Sequence, residues 1–513
     1  MALALTFSRA NLGIDAPLVS VETHLSNGLP AFTIVGLPEA AVRESRDRVR
    51  SAIINSHFDF PSKRITVNLA PADLPKEGSR FDLAIALGIL AASDQLSKEQ
   101  LLQYEFIGEL SLSGELRYAT GLIPALIAAD PQRISLVPAA NSDEAALPLQ
   151  TKTMVAHHIL EVCAHLNNNK PLSIARKDKP KHNKSNAFDM ADVAGQPQAK
   201  RALEIAAAGG HNIIFIGPPG TGKTMLASRL ISISPPLSEA SAIEVAAINS
   251  LVGKENTIAQ WRQRPFRNPH HTASAVAMVG GGSNPKPGEI SLAHKGILFL
   301  DELPEFDRKV LEVLREPIES GRITISRATQ QVEYPAQFQL VAAMNPCPCG
   351  FFGDTRQNCS CSPNQIQRYR AKLSGPLLDR IDLHVSVSRL PANMMSQKTK
   401  VNESSSIIRS RVLKAQHQQA NSRGKINTQL SSRELLDDEW IKEEAIDWLG
   451  IAIEKLGLSA RAFHRLLRIG RTIADLEYAS RPESNTPYNK ANVQVDIHHL
   501  KEALAYRQLD KKI

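Results

Sequence analysis

The stretch NIIFIGPPGTGKT, Asn212 to Thr224, constrains this chain more than any other. An apolar run passes into a G-x-x-x-x-G-K-T loop and then into the helix-compatible segment MLASRLISI. Glycines at 217, 220 and 222 let backbone N–H groups curl around phosphates at a helix N-terminus. Gly217, Pro218, Pro219, Gly220, Thr221 and Gly222 would form the cradle. Lys223 would reach the β- and γ-phosphates, and the Thr224 hydroxyl would bind Mg²⁺. The alternative, an accidental glycine-rich turn, accounts for neither the strand before the loop nor the helix after it.

A second strand, GILFLDE (Gly296 to Glu302), ends in two carboxylates at the edge where open α/β sheets bind ligands. Asp301 is expected to hold Mg²⁺ through water and Glu302 to polarise the attacking water. An acidic pair opening a helix is the competing reading. A third run, FQLVAAMN, delivers Asn345 to the same edge to orient water or sense the γ-phosphate, although an asparagine ending a strand also forms turns. Arg380 and Arg461 are further candidates for contacts to ATP, because guanidinium is planar, permanently charged and bidentate. Arg380 sits between Asp379 and Asp382 and could instead pair with them.

At 513 residues the chain exceeds one ordinary core, given about 150 residues per domain. Basic and polar stretches divide it into blocks at 1–169, 189–390 and 406–513, with linkers at 170–188 and 391–405. The first block mixes strand-like RITVNL (Arg64 to Leu69) with helical AAVRESRDRVRSAI (Ala40 to Ile53); the middle one alternates strands and helices, predicting a parallel sheet. The last is helical, with Phe463, Leu466, Leu467, Ile469 and Ile473 forming an apolar stripe. No apolar run reaches the ~18 residues that span a bilayer, and the opening lacks the basic and cleavage signals of a secretory leader. A cytoplasmic protein without membrane partners is expected. Its net charge of +8 is compatible with an anionic partner such as nucleic acid.

Four of the five cysteines, Cys347, Cys349, Cys359 and Cys361, form two C-x-C pairs just after Asn345. They offer enough soft ligands to close a tetrahedral shell around Zn²⁺. One-residue spacers depart from the usual C-x₂₋₄-C knuckle, and four reduced thiols in a surface loop are the alternative. Cys163, in ILEVCAHL, reads as a buried helix residue.

Together these residues resemble the magnesium-chelatase-like AAA+ ATPases. The segments PFRNPHHTASAVAMVGGGSNPKPGEISLAHKGILFLDELPEF and NPCPCG narrow the resemblance to the bacterial ComM (YifB) family. The resemblance implies a multidomain α/β protein: an AAA+ P-loop core with a parallel sheet and a C-terminal helical lid. It makes Lys223 and Thr224 the Walker A pair, Asp301 and Glu302 the Walker B pair, and Asn345 sensor 1. Arg380 becomes a finger completing a neighbour's site and Arg461 the sensor 2 arginine. A finger used in trans implies a homohexamer. Lys286 and Lys295, in and around the insertion between the Walker strands, and Arg322 and Arg327, on the run GRITISRATQQVEY, are candidate DNA contacts. The first block resembles the proteolytic domain of Lon, an α+β domain of the ribosomal protein S5 domain 2-like type. The serine position is Arg80, with Ser79 adjacent, and the lysine position is Ala125, so no peptidase activity is expected.

The resemblance specifies an ATP- and Mg²⁺-dependent helicase. It would promote branch migration on single- and double-stranded DNA in branched intermediates during natural transformation, alongside recombination proteins. A chelatase-type or chaperone-like remodeller of a protein partner is the rival; an ATP-dependent protease is disfavoured by Arg80 and Ala125.

Overall fold

A computed structural model describes residues 3–38, 40–147, 151–175, 188–253, 260–282, 285–326, 331–390, 402–437, 439–481, 488–489 and 492–507. Its middle part is organised by five parallel strands. Across the sheet they run Phe266–Arg267, Ile297–Leu300, Gln339–Met344, Ile213–Ile216 and Leu383–Ser386. Residues 297–300 are all buried, as a strand covered on both faces must be, which is why ILFL is continuously apolar.

Alternation along these strands sorts the molecule into two sides. Ile213, Phe215, Ile297, Phe299, Val341 and Leu383 pack with the helices Pro197–Gly209 and Lys223–Ile233 and with the C-terminal helices. Ile214, Leu298, Leu300, Leu340 and Met344 face the other way, against Val310, Leu311, Ile323, Ile325 and Tyr334. The hairpin Arg322–Ser326/Gln331–Pro335 thus packs on the face opposite the C-terminal helices. Phe299 is fully buried, and cutting such a residue to alanine typically costs about 3–5 kcal/mol.

The N-terminal part holds two four-stranded sheets. One is ordered Leu3–Arg9, Leu18–Ser26, Arg64–Ala70, Ala31–Val35; the other Ser173–Ile174, Thr153–Ala156, Ile134–Pro138, Tyr104–Phe106. The helix Asp82–Ala92 is buried along its whole length, consistent with its nearly uniform apolar sequence. The expected strand at Arg64 and helix at Ala40 are present, the helix running Ala40–Asn55. Ser173 and Ile174, expected in a linker, pair instead with Val155 and Met154 and extend the second sheet.

The helix Leu122–Ala128 packs on Glu239–Leu251 through Ile123, Ala246 and Ala247, and Gly121 N–H donates to Ser250 O (2.9 Å). Gly13 lies against Val332 of the hairpin. The N-terminal part therefore rests on the elements inserted between and after the strands Ile213–Ile216 and Ile297–Leu300.

C-terminal helices run Ser405–Arg423, Glu443–Leu456, Ala460–Ser480 and Ile497–Ala505. In the third, Leu466, Leu467, Ile469 and Ile473 are buried as their spacing requires. Asp475, fully buried, is met by Arg471 (2.5 Å), Arg423 (2.7 Å) and the Tyr488 hydroxyl (2.7 Å), so its charge is compensated. Among the described residues no helix is long and apolar enough to cross a membrane.

Candidate active site

The parallel strands deliver their C-terminal ends to one edge, and there a cleft of 410 Å³ is lined by residues 219–224, Asp301, Glu302, Met344 and Asn345. Gly220 and Gly222 hold φ of +75° and +86°, the left-handed region that favours glycine. At Gly217 a Cβ would stand 2.1 Å from Val387 O, so that position admits no side chain. The Lys223 ammonium donates to Gly217 O (2.7 Å), Pro218 O (2.9 Å) and Asn345 Oδ1 (3.0 Å). Burial lowers its pKa below the ordinary value, while Asp301 and Glu302 pull it back up.

The Thr224 hydroxyl donates to Asp301 Oδ2 (2.7 Å). A hydroxyl and a carboxylate brought together beside a phosphate cradle are the hard oxygen ligands Mg²⁺ takes, so the residues fit that ion. Asp301 Oδ1 accepts from the Glu302 N–H (2.9 Å). Glu302 itself sits at φ 53°, ψ 47°, a left-handed backbone that costs a non-glycine residue ~1–3 kcal/mol and clusters at functional sites. Its carboxylate meets His271 Nδ1 at 3.2 Å. Sequence reasoning passed over His271; the available signal was its position four residues beyond the strand Phe266–Arg267, at the same edge.

Arg380 and Arg461 do not line this cleft. Arg380 precedes the strand Leu383–Ser386, and its carbonyl accepts from the side chain of Asn212, which precedes the strand Ile213–Ile216. It therefore stands at the N-terminal edge of the sheet, a strand length of about 13 Å from its own phosphate loop. Its guanidinium pairs with Glu319 (2.5 Å) and Pro376 O (2.6 Å), not with Asp379 or Asp382. Asp382 is taken by His211 (3.3 Å) and Arg465 (3.4 Å). Arg461, exposed, lies four residues before Arg465 near the start of the helix Ala460–Ser480.

The four cysteine sulfurs lie within 4.8 Å of one another. Cys347 is 3.4 Å from Cys349 and 3.6 Å from Cys359, and Cys349 is 3.6 Å from Cys359. A tetrahedral zinc shell with Zn–S near 2.3 Å separates its sulfurs by about 3.8 Å, so the set fits that metal. The Phe351 N–H is the main influence holding the Cys349 thiol down, to about 5. Gly350 packs on Pro219, whose Cδ would lie 2.6 Å from an added Cβ, so this loop braces the phosphate loop. Cys163 is buried and its thiol pushed up to about 12 by burial, as an inert core residue should be.

Of the candidate DNA contacts, Lys286 is exposed on the ladder Gly280–Gly281/Lys286–Pro287. Arg322 is exposed but paired with Glu333 (2.8 Å). Lys295 falls outside both hairpins: it precedes the strand Ile297–Leu300 and is held by Gln337 (2.6 Å) and Glu244 (3.5 Å). Arg327 lies outside the described residues. In the N-terminal part the Arg80 guanidinium is buried and donates to Arg9 O (3.2 Å), Asn11 Oδ1 (2.5 Å), Thr120 O (2.6 Å) and Gly121 O (3.1 Å). The Ser79 hydroxyl is turned to Glu109, and Ala125 is fully buried.

Three family models match: "Magnesium chelatase, subunit ChlI" over 189–395, "Subunit ChlI of Mg-chelatase" over 21–141 and "Magnesium chelatase, subunit ChlI C-terminal" over 402–488. The competence protein ComM of Haemophilus influenzae is 51% identical, covering 99% of this chain and 98% of its own. The uncharacterized protein YifB of Escherichia coli is 49% identical over 100% and 98%. Lon protease 2 of Bacillus subtilis is 27% identical over 31% of this chain and 32% of its own length.

Proposed function

The chain belongs to the ComM (YifB) family of magnesium-chelatase-like AAA+ proteins, and from that premise we propose that it is an ATP-driven, ring-forming DNA motor that promotes branch migration during natural transformation. One observation carries the reading. The phosphate cradle and acidic pair lie at one edge of the sheet, while Arg380 lies at the other, out of reach of its own nucleotide.

Lys223 would give up its loop carbonyls to the phosphates, and Asn345, already bonded to it, would orient water near the γ-phosphate. Thr224 and Asp301 would hold Mg²⁺, which when bound neutralises phosphate charge. Glu302 would accept the proton of the attacking water, and Arg380 of the adjacent subunit would stabilise the charge developing on the γ-phosphate. Arg461, exposed near the start of the helix Ala460–Ser480, would serve as the lid's arginine contact to nucleotide. A site shared in this way calls for head-to-tail subunits closing into a ring, and the family resemblance makes that ring a homohexamer.

The hairpins bearing Lys286 and Arg322 would engage the DNA backbone, single- or double-stranded, through sequence-independent phosphate contacts. The competence name of the 51%-identical relative supports this substrate. The N-terminal part, related to Lon over a limited span, would serve as a platform without peptidase chemistry, since Arg80 occupies the nucleophile's place and Ala125 the base's. Zinc held by the four cysteines would fix the loop behind Asn345.

The test is ATP hydrolysis with and without single-stranded DNA, comparing the intact chain with Glu302→Gln. DNA should stimulate hydrolysis by the intact chain. The variant should bind ATP yet turn it over ~10²-fold or more slowly. Hydrolysis indifferent to DNA would instead favour a remodeller of a protein partner.

A further inference from the structure

The Arg380 guanidinium is held in a way that leaves it half used. Its Nη1 donates to Pro376 O (2.6 Å) and its Nη2 meets Glu319 Oε1 (2.5 Å), while its Nε is buried without a hydrogen-bond partner. Nε and Nη2 form the edge with which arginine grips two oxygens of one carboxylate or phosphate. Glu319 fills half of that edge and leaves the other half an orphan donor, which costs free energy in a buried group. A phosphate offering two oxygens would satisfy both, but only once Glu319 lets go. Arg380 and Glu319 share the wall of a 760 Å³ cavity with Arg264, Lys295, Arg465 and Arg468 against Asp382, so an anion arriving there meets a surplus of positive charge.

Glu319 stands on the helix Arg315–Ser320, with only Ser320 and Gly321 between it and the hairpin strand Arg322–Ser326. Ser320 Oγ accepts from the Arg322 N–H (3.2 Å), and Gly321 O accepts from the Ala336 N–H (2.7 Å) just past the second hairpin strand. The end of this helix and the base of the hairpin are therefore one bonded unit. Arg380 is attached elsewhere, its carbonyl bonded to Asn212 beside the phosphate-loop strand. Displacing the hairpin relative to the sheet thus alters the distance between Glu319 and Arg380.

We propose that Glu319 is a positioning residue: it parks the Arg380 guanidinium while the hairpin is unloaded, and DNA on the hairpin draws it off, releasing Arg380 to the γ-phosphate of the neighbouring subunit. The inference rests on the shared-site reading above and adds to it the route by which DNA held by one subunit sets hydrolysis in the next. The Glu319 side chain is 59% exposed, against 10% for Arg380, so a substitution at 319 does not open the core.

The experiment measures ATP hydrolysis by the full chain with Mg²⁺, with and without a single-stranded oligonucleotide, for the parent, Glu319→Ala and Glu319→Gln. The DNA-free kcat of Glu319→Ala should rise severalfold and its stimulation ratio should fall toward unity. Glu319→Gln, which keeps an acceptor without the charge, should lie between. Equal mixtures then locate the effect. When Arg380→Ala is mixed with Glu302→Gln, each working seam takes its acidic pair from the first chain and its guanidinium from the second. Adding Glu319→Ala to the second chain should raise the mixture's DNA-free rate, whereas adding it to the first should leave that rate unchanged. A rise from either chain alike, no rise, or a fall when the substitution stands beside the intact Arg380 overturns the restraint. A stimulation ratio unchanged in Glu319→Ala overturns the hairpin's part in it. An inactive mixture of Arg380→Ala and Glu302→Gln removes the shared-site reading itself, and this inference with it.

Discussion

At the scale of single residues, the strongest electrostatic consequence outside the cleft concerns His384. It is buried on the strand beside the phosphate-loop strand, and burial first, then the charge of Arg507, pushes its pKa down to about 3. Unfolding returns it to an ordinary value of about 6.5. Between those limits the unfolded chain binds a proton that the folded chain does not, so stability rises with pH there and is lost as pH falls from about 6.5 toward 3. The thermal midpoint should therefore drop across that window, and His384→Asn should show a shallower drop than the parent. Equal slopes would contradict the assignment. The residues legible in the sequence were those whose chemistry dictates spacing along the chain: Lys223 and Thr224 six and seven residues after Gly217, and Asp301 at a strand's end. His271 and Glu319 were not, because their contacts with Glu302 and Arg380 are made across the fold and leave no local pattern.

At the scale of elements, continuous apolar runs identified the three strands that carry the site, since burial on both faces removes the polar alternation. Periodicity could not say that alternate residues of those strands would set the C-terminal helices on one face and the hairpins on the other. Nor could composition separate Ser173 and Ile174 from the basic segment that follows, because two residues of edge pairing carry no signature of their own. The four-cysteine loop was visible as a ligand set, but its packing of Gly350 on Pro219 was not. That contact predicts coupling between metal and nucleotide. Protein purified without chelators should carry about one zinc per chain. Stripping it should weaken ATP binding as well as loosen the loop, read by metal analysis and nucleotide titration on the same sample. Full nucleotide affinity in zinc-free protein would contradict the bracing role.

At the scale of the whole molecule, the account rests on the separation of Arg380 from its own phosphate loop by the length of a strand. On the proposed reading a single chain would hold a cradle, an acid pair and a water-orienting asparagine without the guanidinium that completes them, and would supply that guanidinium to a neighbour. The sequence alone left Arg380 equally able to pair with Asp379 or Asp382; in the structure it pairs with neither and stands at the sheet's far edge, the place the proposed intersubunit role needs. Glu319, its present partner, would be exchanged for phosphate when a neighbour docks.

The most direct measurement mixes two inactive variants, Arg380→Ala and Glu302→Gln, in equal amounts and follows ATP hydrolysis. Seams that draw Glu302 from one variant and Arg380 from the other should restore activity, to about a quarter of the parent's if subunits mix at random around a ring. A mixture as inactive as its components, or an Arg380→Ala chain that hydrolyses ATP at the parent's rate by itself, would contradict a site shared between subunits.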